Sequence, residues 1–355
     1  MQPKPTSMKV AVYYNNSTIK VEERPIPSIG EGELLIQTVA CGLCGGETME
    51  WYLAPRAPKV LGHEPVGVVV QVGNGVKKFK EGDRVFVHHH VACMSCHFCN
   101  RGYFSMCEHF AQTNISPGGF AEYFKVPAEN AALDTYLLPD EVSFEEGTMI
   151  EPLACALRGL MSVQIHPGDT LAIVGVGFMG MGFVKLASLF PFSRIIALDL
   201  NDWRLGQAQK FGATHAINPM WDDPIESVRS ITGGYLADVV VVTPPSIKAW
   251  EMAIKLCEKG AKFHYNAPPA PGEIAQLELN QLYFREIKMN STYSASHVET
   301  RAILDLMTTK RLDARPLVTH RFGLEGVGEA IQLLLKGDQS LKSLILPNSS
   351  STKAA

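Results

Sequence analysis

The chain has 355 residues, 46% hydrophobic and 19% charged, with 32 Lys plus Arg against 36 Asp plus Glu and a formal net charge of -4. Its length calls for two cores of ordinary size, and its composition excludes a disordered chain. No basic block interleaves with aromatics and no run approaches the roughly 20 apolar residues that span a bilayer, so neither nucleic acid nor membrane is an expected partner.

The opening MQPKPTSMKVAVYY has no continuous apolar stretch of signal-peptide type, so a cytoplasmic location is expected. Up to about position 150, the β-rich runs KVAVYYN, GELLIQTVACG, PVGVVVQVG, DRVFVHHH and AEYFKV alternate with Gly, Pro and Asp turns. That texture predicts an antiparallel, β-barrel-like domain with long functional loops. The CGLC at 41–44 is compatible with a redox pair, half of a zinc knuckle or two unrelated buried thiols. Further on, Cys93, Cys96, Cys99 and Cys107 form C-x2-C-x2-C-x7-C. Four thiolates at that spacing fold around one tetrahedral zinc with no open position, which marks a structural ion. A lobe of about residues 91–110 has little core of its own and should unfold without it. His97 and His109 sit beside these ligands and are not needed. A dispersed second set consists of Cys44, the pair His63 and Glu64 in LGHEPVG, and Glu151 in IEPLACA. Mixed S, N and O donors suit a catalytic zinc with an exchangeable position.

From about 155 the runs DTLAIVGVG, RIIALD, ADVVVVT and AKFHYNA alternate with the helical FMGMGFVKLASLF, WRLGQAQKFG and SIKAWEMAIKLCEKG. This is the pattern of a doubly wound parallel sheet with helices on both faces. GVGFMG at 175–180 follows the first of these strands and opens a helix. Gly175 permits the tight turn, Gly177 the approach of a pyrophosphate and Gly180 close helix–strand packing, with Phe178 and Met179 between them at the phosphate end of the helix. Asp199 lies 19 residues beyond Gly180, where an acid accepts from ribose hydroxyls and repels a 2'-phosphate. NAD is expected over NADP, although Arg204 nearby leaves NADP open. After about 294, VETRAILDLMTTKR, LVTHRFGLEGVGEAIQLLLKG and SLILP are expected to return to the first domain, and the polar PNSSSTKAA to form a frayed end. The expected boundaries are 1–153, 154–293 and 294–355.

GLCGGE, LGHEPVG, GDRV, the four-cysteine lobe, PGGFAEY, EPLACA and GVGFMG occur in the order found in zinc-dependent medium-chain dehydrogenases/reductases. Over nearly its whole length the chain resembles the polyol (sorbitol) and L-threonine dehydrogenase branch. The resemblance implies a GroES-like β-barrel catalytic domain, a Rossmann domain, two Zn2+ per chain, NAD, a small-molecule substrate and a homodimer or homotetramer. It also implies that Cys44 and His63 bind the catalytic zinc, with Glu64 and Glu151 as direct or water-mediated ligands. Cys41 becomes a packing residue, Glu47 orients the zinc site from behind where the family usually has Asp, and His90 falls near the substrate. The implied reaction is hydride transfer between NAD and a secondary alcohol: a polyol, a sugar derivative or a hydroxy amino acid. The competing readings are an enzyme that recycles bound NAD, of dismutase or epimerase type, and a nucleotide-binding member that has lost activity.

Two departures stand out. The family passes the alcohol proton through a Ser or Thr two residues after the zinc cysteine and often a His three further on. Here those positions are Gly46 and Met49, and neither can relay a proton. Thr48, Glu50, Glu64 or a sugar's own hydroxyls are left to conduct it through water. The segment between Cys44 and His63 is also shorter than in polyol relatives, which together with Gly45 and Gly46 implies a roomier pocket.

Overall fold

Strand Leu34–Gly42 is apolar and buried on both faces for most of its length, so it must lie inside a sheet. In the computed structural model, which describes residues 5–349, it is a central strand of the larger sheet of the first unit. Residues 350–355 of the expected frayed end lie outside the described residues. The chain divides into two units, one built from residues up to Ala154 and from Ala295 onward, the other from Cys155–Ser294.

In the first unit the larger sheet runs Val318–Phe322, Lys342–Ile345, Leu34–Gly42, Glu64–Val72, Arg84–Val87, Thr135–Leu137, with Tyr123–Val126 also paired to Leu34–Gly42. A smaller sheet joins Thr18–Pro25, Ser7–Asn15 and Lys59–Val60. Apolar clusters fill the unit, among them one around Val10, Val12, Phe120 and Ile331 and another around Ile36, Val69, Val85 and Phe124. The GroES-like architecture is therefore present, with one departure from the antiparallel expectation. Val318–Phe322 pairs in parallel with Lys342–Ile345, because helix Val327–Lys336 supplies the crossover that a parallel pair needs.

Strand Arg84–Val87 stops before the three histidines expected to continue it. The reason is a side chain that replaces the ladder: Asn130 Nδ2 donates to the carbonyls of His88 and His89, both at 3.0 Å, while the His88 amide donates to Asp134 O. Those three satisfied groups need no neighbouring strand.

The second unit is a six-stranded, wholly parallel sheet in the order His215–Ile217, Arg194–Leu198, Thr170–Val174, Ala237–Val242, Cys257–Tyr265, Lys288–Ser291. Numbered along the chain this is 3-2-1-4-5-6, the Rossmann order, with its reversal between Thr170–Val174 and Ala237–Val242. The helix expected to run through Gly260 ends at Ala253, and a strand begins at Cys257. Leu256 and Cys257 are needed in the core, where Cys257 pairs with Ala237. No helix among the described residues is long and apolar enough to cross a membrane.

Candidate active site and cofactor sites

Cys44 follows the strand Leu34–Gly42 and caps the short 3-10 turn Gly45–Thr48. The cap is reciprocal: Cys44 Sγ accepts from the Gly46 amide at 3.4 Å, and Glu47 Oε2 accepts from the Cys44 amide at 3.1 Å. The second oxygen of Glu47 accepts from the Gly62 amide at 2.6 Å and from His63 Nδ1 at 3.1 Å. Since a carboxylate only accepts, Nδ1 carries the proton and Nε2 keeps its lone pair for another partner. Burial alone would raise the Glu47 carboxyl, but His63 and the two amides outweigh it and hold it below the ordinary range. The donor atoms of Cys44, His63 and Glu64 lie within 4.8 Å of one another, so these residues fit a zinc ion.

Glu64, first residue of its strand, is fully buried and bonded through both oxygens to Lys342 Nζ, at 2.8 and 2.7 Å. Lys342 Nζ also donates to Leu43 O at 3.1 Å. Burial opposes the charge on Lys342, but Glu64 more than compensates and raises its pKa. Gly42 makes room for this pair, since a Cβ there would lie 1.8 Å from Glu64 Oε2. Lys342 was not anticipated from the sequence. Its signal is one lysine inside the apolar closing strand.

Glu151, near the start of helix Ile150–Met161, groups with His88 and His89, the three donor atoms lying within 4.8 Å of one another. His89 is tilted against His63, with ring centroids 4.9 Å apart, and against His90 at 4.1 Å. Burial and the neighbouring imidazoles push His89 well below the usual histidine range. His90 donates through Nδ1 to Thr113 O, and burial drives its pKa down to about 3. Cys41 is buried against Gly119, and burial pushes its thiol well up. Thr48 Oγ1 donates to Gly45 O at 2.8 Å. The space beside Gly46 is open, since a Cβ there would meet only Cys44 Sγ, at 3.8 Å.

In the lobe, the sulfurs of Cys93, Cys96, Cys99 and Cys107 lie within 4.8 Å of one another, with Cys96 and Cys99 at 3.5 Å. The Ser95 amide and hydroxyl hold the Cys93 thiol down to about 6, whereas burial pushes Cys99 up to about 12. The apolar cluster around these cysteines is small among the described residues, formed with Ala92, Phe104 and Phe110, and all eight cysteines of the chain are free thiols. Four clustered sulfurs over so small a core fit a structural zinc. His97 and His109 stand outside the cluster, against Arg101 and Glu129.

In the second unit, Gly175 has φ +82°, and a Cβ on Gly180 would lie 2.0 Å from Gly175 O, so both positions require glycine. Gly177 starts helix Phe178–Ala187 without a side-chain cap, which sets the positive end of the helix at the glycine turn. Asp199 accepts from the amides of Val176 and Asn201, at 2.8 and 2.9 Å. The Arg204 guanidinium lies 3.6 Å from the Cβ position of Gly177, and its buried Nε has no hydrogen-bond partner among the described residues. This cradle fits a dinucleotide phosphate.

Residues 30–139 match the alcohol dehydrogenase GroES-like domain, and residues 175–309 match the zinc-binding dehydrogenase family. A sorbitol dehydrogenase of Bacillus subtilis is 32% identical over 97% of this chain and 98% of its own length. The chain belongs to the zinc-binding alcohol dehydrogenase family. An L-threonine 3-dehydrogenase of Bacillus velezensis is 31% identical over 92% of the chain and 95% of its own length. Among solved structures, a zinc-binding dehydrogenase of Sinorhizobium meliloti bound to NADP superposes with TM-score 0.86 at 26% identity, covering 97% of this chain and all of that one. As a member of this zinc-binding dehydrogenase family the chain is an alcohol oxidoreductase that uses zinc and a nicotinamide dinucleotide on a small-molecule substrate. These relatives are named as dehydrogenases, which does not favour cofactor recycling or loss of activity.

Proposed function

We propose that this dehydrogenase interconverts a secondary alcohol and its ketone with NAD, on a polyol, a sugar derivative or a hydroxy amino acid. The observation that carries the reading is the convergence of Cys44, His63 and Glu64 donors within 4.8 Å, with His63 fixed by Glu47. Two zinc ions per chain are proposed, one in the four-cysteine lobe and one at Cys44 and His63 with the carboxylates of Glu64 and Glu151. Because Lys342 holds both oxygens of Glu64, that carboxylate acts on the centre through its field or through water. When bound, zinc supplies Lewis acidity toward the alcohol oxygen, and the nicotinamide supplies the hydride acceptor.

The chain's own residues orient and exchange protons. Glu47 holds the His63 ring by its Nδ1 proton, which keeps Nε2 pointed away from it. With Gly46 lacking a hydroxyl, Thr48 at the end of the same turn is proposed to hold the water through which the alcohol proton leaves to solvent. Its hydroxyl oxygen accepts a hydrogen bond from that water while its own hydrogen stays donated to Gly45 O. Gly175, Gly177 and Gly180 with the amides of Phe178 and Met179 are proposed to cradle the pyrophosphate, and Arg204 adds a cation beside it. Asp199 is proposed to select NAD, its negative charge opposing a 2'-phosphate.

A homodimer or homotetramer is proposed as well. Helix Leu279–Phe284 buries none of its residues and leaves Leu279, Tyr283 and Phe284 exposed at 73%, 77% and 74%. A cytoplasmic location fits eight free thiols. The function is tested by a panel of polyols, sugars and hydroxy amino acids with NADH formation as the readout. Turnover that tolerates both Cys44→Ser and His63→Ala would rule out the assignment.

A further inference from the structure

The reading above leaves two buried histidines unused. His88 Nδ1 donates to Asp134 Oδ2 at 2.6 Å, and the other oxygen of Asp134 accepts from Thr300 Oγ1 at 2.7 Å. All three residues are buried. With Nδ1 committed, His88 has only Nε2 to offer, and that atom is buried without a hydrogen-bond partner among the described residues. His89 Nδ1 is in the same condition. A histidine fixed through one nitrogen by a carboxylate is the arrangement that metal-binding imidazoles use to present the other nitrogen.

Donor atoms of His88, His89 and Glu151 all lie within 4.8 Å of one another, in a fully buried setting. Two imidazoles and a carboxylate make a sulfur-free set suited to zinc, iron(II), manganese or cobalt. The neighbouring set offers Cys44 Sγ and His63 Nε2, with Glu64 bonded through both oxygens to Lys342. The two sets adjoin through the His63 and His89 rings, 4.9 Å apart. Two dications so close repel each other unless an anion bridges them, and the two sets are alternative positions for one ion.

We propose that His88, His89 and Glu151 form a second, sulfur-free station for the divalent ion of the Cys44 centre, oriented by Asp134 through His88. This rests on the zinc reading of that centre. The station retains the ion when the thiolate is lost, and its preference for nitrogen and oxygen donors admits cobalt or manganese in place of zinc.

The test is metal per chain by atomic emission on the purified full chain. Two ions are expected in the wild type, two in Cys44→Ser, and one, that of the lobe, in Cys44→Ser/His89→Ala. In the Cys44→Ser background, Asp134→Asn should weaken cobalt binding about 10- to 100-fold. Should the double variant fail to fold, Cys44→Ser/His88→Gln serves the same purpose, and retention of the lobe ion reports its integrity. Two ions in the wild type with one in Cys44→Ser would overturn the station and leave the zinc reading standing, and so would two ions persisting in both double variants. A single ion in the wild type would overturn both.

Discussion

Replacing Lys342 by methionine removes the cation from the most deeply buried ion pair described, whose side chains are 1% and 0% exposed. Glu64 then faces the interior with no counter-charge, and Leu43 O loses its donor. At 2.7 Å and an effective dielectric of 20 the direct attraction is about 6 kcal/mol, against which the desolvation of both ions is set. Breaking a buried pair from one side typically costs ~3–5 kcal/mol, because the remaining charge is uncompensated. For a unit of this size such a loss lowers Tm by about 10 °C. Scanning calorimetry of the zinc-loaded protein should therefore show the first unit's transition fall by that amount in Lys342→Met. Adding Glu64→Gln removes the orphaned charge and should restore about half of the loss. A fall of less than about 1 kcal/mol in Lys342→Met, or a double variant no more stable than the single, would refute the claim that Glu64 is neutralised by Lys342.

Other outcomes follow from the same contacts. Gly42→Ala forces a methyl to 1.8 Å from Glu64 Oε2 and should cost ~1–3 kcal/mol in urea unfolding, with loss of the Lys342 pair. Cys96→Ser, or chelation, should release the lobe zinc and open residues 91–110 to proteolysis, since the apolar cluster there is small, formed with Ala92, Phe104 and Phe110. Zinc affinity of the lobe should also fall as the pH is lowered, because protons compete with the metal for its four thiolates, and be regained on raising the pH. Asp199→Ser should shift the NADP-to-NAD ratio of kcat/KM toward NADP by about tenfold, a change of ~1.4 kcal/mol. Thr48→Ala should lower turnover, and Gly46→Ser should restore it, because the space beside Gly46 is open.

Much of the fold was legible because its signals are local. The glycines at 175, 177 and 180 follow an apolar strand and open a helix, and the cysteine spacing of the lobe lies within one short segment. The central acids and histidines gave a weak mixed-donor signal by themselves, and their roles came from the family resemblance, since Cys44, His63 and Glu151 are far apart in the chain. Lys342 escaped because a lysine in a strand ordinarily reads as solvent-facing, and its partner Glu64 is 278 positions away. His88 and His89 escaped because they read as the continuation of a strand. Asn130, itself distant in sequence, ends that strand by bonding to their carbonyls.

Hydride transfer itself is the central claim, and a deuterium label tests it most directly. A secondary polyol or hydroxy amino acid deuterated at its carbinol carbon, incubated with NAD and the zinc-loaded enzyme, should yield NADH carrying the label. The label should fail to appear with His63→Ala. Failure of every such substrate to pass deuterium to the nicotinamide, or equal transfer by His63→Ala, would contradict the account.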